Sequence, residues 1–269
     1  MRPGGDMHKR LILFGSLFSA LSLVASPVGN TAAPSIIEQG LFTSCNDFIN
    51  LRLGYEGDFV ADARLEQVEG GHERVDCYRQ GTNAGTVTIN ILDRMDLYGL
   101  FGSSKTRANW RFMNPASEIV RIVADTRWDF LWAVGSRAIL FQWSQASLGC
   151  GGRYSHASYT LSKLTSDGVH APIAGAQFQW TEWQVNLDIS YKIHYFTPYI
   201  GVKYSRPQTD LSHFSVPISP DGNSNQFLAR DPVGVYLGCG LSTGKYVMLN
   251  IEGRLVDEEA ITVSGDIRF

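Results

Sequence analysis

"TEWQVNLDISYKI", residues 181–193, alternates without a fault. Trp183, Val185, Leu187, Ile189, Tyr191 and Ile193 fall on one side of an extended chain. Glu182, Gln184, Asn186, Asp188, Ser190 and Lys192 fall on the other. Successive side chains of a strand point to opposite faces, so a period of two reads as a strand with one apolar and one polar face. A helix would need apolar residues three and four apart, a spacing nearly absent after residue 25.

The same scheme recurs along the chain. "DFINLRLGYEGDF" (47–59) sets Ile49, Leu51, Leu53, Tyr55 and Phe59 against Asn50, Arg52, Glu56 and Asp58. "YVMLNIEGRL" (246–255) sets Val247, Leu249, Ile251 and Leu255 against Asn250, Glu252 and Arg254. "ITVSGDIRF" (261–269) closes the sequence on a strand whose apolar side carries Phe269. Strands are expected near 47–60, 85–93, 95–103, 117–126, 129–142, 146–158, 180–193, 197–206, 232–243, 245–256 and 260–269. Some joins are short ("LDRMD", "KIHYFTP", "STGK", "VDEEA"), whereas those near 61–84, 104–116, 159–179 and 207–231 are long and polar. Alternation near Asp125 to Asp129 slips.

Such strands fit a soluble sandwich or a membrane barrel. Lipid cannot satisfy backbone hydrogen bonds, so strands cross it only as a closed barrel, with the apolar face turned outward. Aromatics on the apolar face (Tyr55, Phe59, Trp183, Tyr191, Tyr199, Tyr204, Phe269) suit interfacial girdles. The expected fold is all-β, an antiparallel transmembrane β-barrel of about 12 strands, within a range of 10 to 16. Bacterial barrels of this kind have an even number of strands, so one of the eleven segments above is miscounted. A final strand ending in Phe is the expected address for the barrel assembly machinery.

Residues 1–25 read as a secretory signal peptide: Lys9 and Arg10, an apolar run from Leu11, and small residues up to Ala25. Residues 26–46 are then an N-terminal periplasmic segment and 47–269 the outer-membrane barrel. Without the signal the chain carries 20 Lys and Arg against 25 Asp and Glu, a net charge of −5 with no long run of either sign. That balance gives no nucleic-acid surface. Export makes Cys45, Cys77, Cys150 and Cys239 eligible for disulfides, within or between chains, and their spacing selects no pairing.

Motifs with chemistry are weak. "GCGLSTGK" (238–245) lacks the Ser or Thr that follows the lysine of a phosphate loop, and "GCGG" (149–152) has no following helix. Glycines in barrel strands more often permit bends. His72, Glu73 and Cys77 lack a partner pair at metal-ligand spacing, and no G-x-S-x-G is present. No catalytic residue, cofactor or metal is expected. What remains is the polar face: Arg52, Glu56, Asp58, Glu182, Asp188, Lys192, Lys203, Glu252, Arg254, Asp266 and Arg268 are the candidate pore lining. Charges of both signs in a wet lumen decide which solutes pass.

Several stretches resemble the chlamydial major outer membrane porin family. They include "DFINLRLGYEGDFV", "NILDRMDLYGLFG", "WAVGSRAIL", "SLGCGGRYSHAS", "EWQVNLDISYKIHYFTPYIGVKYSR" and "RLVDEEAITVSGDIRF". The resemblance implies a homotrimeric general porin of the bacterial outer membrane, passing small hydrophilic solutes and ions. It also implies an envelope held together by disulfides to other proteins. This chain is shorter, and the shortfall falls in the long polar joins. A smaller relative selective for dicarboxylates sets one alternative for the solute. The rival readings are a plugged structural or adhesive barrel and an outer-membrane hydrolase.

Overall fold

The computed structural model describes residues 28–41, 48–68 and 73–269. The expected signal peptide, Cys45 and His72 lie outside these residues. A short helix α1 (Ala33–Ile36), opened by Pro34, precedes the strands. The first strands are β1 (Ile49–Ala63), β2 (Leu65–Gln67), β3 (Cys77–Ile91), β4 (Met95–Met113) and β5 (Ile119–Thr126). Then come β6 (Asp129–Trp143), β7 (Ala146–Tyr159), β8 (Leu161–Ser166), β9 (Val169–His170) and β10 (Gln177–Tyr191). The last are β11 (Phe196–Ser212), β12 (Asn225–Ala229), β13 (Val233–Ser242), β14 (Val247–Leu255) and β15 (Glu258–Arg268).

Ten of these close a ring in the order β1, β3, β4, β6, β7, β10, β11, β13, β14, β15, each antiparallel to the next. The ring shuts where β15 pairs with β1, from Arg52 opposite Arg268 to Phe59 opposite Ile261. Ten is the low end of the expected range, and the reason lies at the slip in alternation. Segments 117–126 and 129–142 are one descending path broken at residues 127–128: β5 pairs with Arg107–Met113 of β4, and β6 with Met95–Ser104. Likewise β8 continues β7 upward and pairs with β5.

Four short joins of the wall, at 92–94, 144–145, 192–195 and 243–246, lie at one end, with the start of β1 and the end of β15; a fifth, at 256–257, joins β14 to β15 at the other end, where the long joins lie. Short turns mark the periplasmic side of an outer-membrane barrel. Leu92, Asp93, Ser144, His194 and Tyr246 adopt the left-handed backbone in these turns, with φ of 50–56°. Tight hairpins require that conformation.

The outer face is apolar over a limited height only. On β4, Leu97 and Phe101 point out, but above them Lys105, Arg107 and Arg111 take the outward positions while Ala108, Trp110 and Phe112 are buried inside. On β10, Trp183, Val185, Leu187, Ile189 and Tyr191 face out; above them Gln177 and Gln179 face out and Phe178 and Trp180 face in. On β11 the outward sequence runs Ile200, Val202, Tyr204 and then Arg206. Trp183 and Tyr204 pack at 5.4 Å between ring centroids near this change, where an aromatic girdle belongs. Tyr199, expected among the girdle aromatics, instead faces inward, because it shares its parity with Lys203. Above the girdle the wall is built like a soluble protein, polar outside and apolar inside.

Candidate functional site: the barrel interior

The interior has three levels. At the top, a cluster that includes Tyr78, Trp110, Phe112, Phe178, Trp180 and Phe227 fills the barrel. Tyr78 stacks on Trp180 at 5.3 Å, and the Trp110 indole N–H donates to the Ile218 carbonyl at 2.8 Å. Residues of the long joins, Phe214 and Ile218 among them, complete this cap.

Below it lies a charged belt. Arg254 of β14 is its hub: Nη2 meets Asp58 at 2.8 Å, Nε meets Glu258 at 2.8 Å, and Nη1 meets Glu252 at 3.4 Å. The same Nη1 donates to Thr262 Oγ1 at 2.6 Å. Lys203 bridges Asp257, at 2.8 Å, and Glu258. Arg153 of β7 reaches across to Glu56 of β1 at 3.0 Å. Nearer the periplasm, Asp96 takes Arg52 and, at 2.7 Å, Arg137, and Arg268 pairs with Asp93 at 2.9 Å. These positions alternate with lipid-facing ones, which is why a single strand pattern supplies both surfaces.

Of the residues singled out in the sequence, Arg52, Glu56, Asp58, Glu182, Asp188, Lys203, Glu252, Arg254, Asp266 and Arg268 are all buried in the interior. Lys192 differs. It follows the end of β10 and stands half-exposed at the periplasmic rim, paired with Glu38 at 2.5 Å. Among the described residues, nine acidic and five basic side chains are buried, so the interior carries an excess of negative charge. Asp96, Arg153, Asp257 and Glu258 belong to this set but were not singled out, because their segments alternate less cleanly.

The lowest level holds a feature outside the strands. Residues 28–41, part of the expected N-terminal periplasmic segment, lie across the mouth of the barrel. Val28 and Gly29 N–H groups donate to the two carboxylate oxygens of Glu252, both at 2.9 Å. The Thr31 N–H and hydroxyl donate to Asp188, at 3.3 and 2.5 Å. The carbonyls of Ala33, Pro34 and Ile37 accept from Arg52 (3.0 Å), Asn90 (3.3 Å) and Arg268. Tyrosines orient the acids: Tyr199 donates to Glu252 at 3.0 Å and Tyr236 to Asp188 at 2.9 Å. Ala32, Ala33, Ile36 and Ile37 bury their side chains with Met248. At the rim the Gly244 carbonyl accepts from Glu38 N–H at 3.0 Å, and Tyr246 N–H donates to Gln39 at 3.1 Å.

Cys77, Cys150 and Cys239 are free thiols. Cys150 on β7 and Cys239 on β13 both occupy outward positions, and β10 and β11 stand between them. Three strand steps of ~4.8 Å exceed the ~7 Å Cα separation a disulfide can span. Bonding between these two within one chain is therefore excluded.

The family described as Chlamydia major outer membrane protein matches residues 162–222. The major outer membrane porin, serovar E, of Chlamydia trachomatis is 25% identical over 392 aligned residues, covering 97% of this chain and 99% of that protein. The major outer membrane porin of Chlamydia muridarum is also 25% identical, over 401 residues, with the same coverage. Both alignments are longer than the chain, so the relatives carry additional segments. Among solved structures, the translocator domain of autotransporter NalP from Neisseria meningitidis covers 98% of both chains at 10% identity and a TM-score of 0.42. An outer membrane channel from Pseudomonas putida F1 covers 84% of this chain and 100% of its own, at 9% identity and a TM-score of 0.41. The chain is thus an outer-membrane β-barrel, similar along nearly its whole length to the longer chlamydial major outer membrane porins.

Proposed function

We propose that the barrel is a porin, carrying small hydrophilic solutes and inorganic cations passively, with no catalytic step. The observation that supports this most is the interior charge: nine buried acids against five bases, strung across strands on every side of the lumen. Charged rings of one prevailing sign select permeating ions of the other. This excess speaks for cations and against dicarboxylates. Homotrimers, delivery by the barrel assembly machinery and disulfide links to other envelope proteins belong to the same proposal. The outward positions of Cys150 and Cys239, on strands too far apart to bond to each other, support links between chains over a link between these two.

A second reading is a closed structural or adhesive barrel. It draws on two features: each of the five buried bases is ion-paired, and the upper end is filled by aromatics. Folded protein added to a planar bilayer under a salt gradient separates the two. The porin reading expects discrete ohmic steps with a reversal potential on the cation side. A bilayer that stays silent would sink it and leave the structural reading.

A further inference from the structure

We propose that residues 28–40 are a displaceable plug, and that the periplasmic mouth contains a seat built for them. The inference rests on the porin reading and adds its regulation.

The seat is specific in three ways. It meets the segment from nearly every side: β1 and β3 through Arg52 and Asn90, β10 through Asp188, β14 through Glu252, β15 through Arg268. It reads the backbone in both senses, with acids placed for N–H groups and Arg or Asn placed for carbonyls. It is also hollowed for the segment. A Cβ on Gly149 of β7 would stand 2.5 Å from the Thr31 Cβ. A Cβ on Gly240 of β13 would meet Asn30 Nδ2 and Ile36 Cδ1 first, both at 3.3 Å, before Thr197 of the wall at 3.8 Å. Gly149 of "GCGG" and Gly240 of "GCGL" therefore leave room for the chain segment, whereas Gly151, Gly152 and Gly238 face side chains and backbone of the wall.

The same chemistry makes the segment removable. Inside the mouth its polar anchors are the charged and amide side chains of Glu252, Asp188, Arg52, Asn90 and Arg268, which water can satisfy once the segment leaves, with Met248 left as an apolar contact. An apolar plug would leave a dry surface behind. At the rim stands the half-exposed Glu38–Lys192 ion pair, where a change of ionic strength acts first. Release of the segment turns Asp188, Glu252, Arg52 and Arg268 from peptide ligands into a charged constriction.

The test uses full-length protein with the four cysteines replaced by Ser, its barrel verified by heat-modifiable migration. Ala33→Cys reports the seat, since Ala33 is fully buried there. A membrane-impermeant maleimide should label it slowly, and Gly240→Val should raise the rate by about tenfold or more, as expected for an overpacked contact. Gly240→Val should also conduct in larger steps than the parent. Glu38→Cys with Lys192→Cys, joined by a short bismaleimide, should lower conductance below the parent's. Equal, fast labelling of Ala33→Cys in both backgrounds overturns the seat. Slow labelling released by Gly240→Val, but with equal conducting steps in all variants, overturns the gate and leaves the porin standing. Silence in every variant, with the label released, overturns gate and porin together.

Discussion

Among single residues, Arg254 bears the largest electrostatic responsibility. It is fully buried and serves Asp58, Glu252 and Glu258 at once, so Arg254→Ala would strip a cation from three carboxylates in the lumen and leave Glu258 with Lys203 alone. Removing one partner of a buried ion pair costs about 3–5 kcal/mol, whereas exposed pairs are worth little. We expect Arg254→Ala to lower the temperature at which the folded band is lost on heat-modifiable gels. Arg111→Ala, which breaks an exposed pair with Asp76, should leave it unchanged. Equal shifts in the two variants would show that the belt contributes nothing beyond surface charge. The direction of these side chains was legible from parity alone. Their partners were not, since Arg254 and Asp58 are distant in sequence and meet only after β14, β15 and β1 are aligned.

At the scale of the element, the long strands carry two grammars. About 9–11 residues suffice to cross a bilayer, yet β4 has 19 and β11 has 17. Their lower parts are apolar outside, and their upper parts are apolar inside. Both parts alternate with period two, so the sequence pattern showed strands without showing where the faces exchange. That exchange also explains why the strand number falls at the low end of the expected range, because β5 and β6 look like separate strands where one path leaves the membrane. A lysine scan should locate the boundary. Lys at Leu187 or Ile200, in the apolar band, should weaken folding into vesicles by about 2–4 kcal/mol. Lys at Gln179 or Asp210, above it, should cost little. A uniform cost along β10 and β11 would mean that the apolar band reaches the top of the strands.

For the whole molecule, closure is the decisive event. β1 and β15 are the most distant strands in sequence and pair over most of their length. Phe269 extends that seam, its N–H donating to the Leu51 carbonyl at 2.9 Å. Deleting Phe269 should reduce the amount of folded barrel recovered from the membrane; unchanged recovery would remove its role in assembly. The closed wall, the outward apolar band and the inward charges were all readable from alternation and parity. The plug was not, because residues 28–41 have no period and are held mostly through their backbone. Gly149 and Gly240 were its only sequence trace, and glycine in a strand signals a bend as readily as a close approach.

The part of the wall above the girdle has a consequence for whatever meets the cell from outside. Lys105, Arg107, Arg111 and Arg121 are basic residues on that surface, yet each lies in a paired strand of β4 or β5. A trypsin-like protease needs an extended, unpaired segment, so these sites become available only after local unfolding. The polar crown is therefore a form of armour: it displays charge to the medium while withholding the peptide bonds beside it.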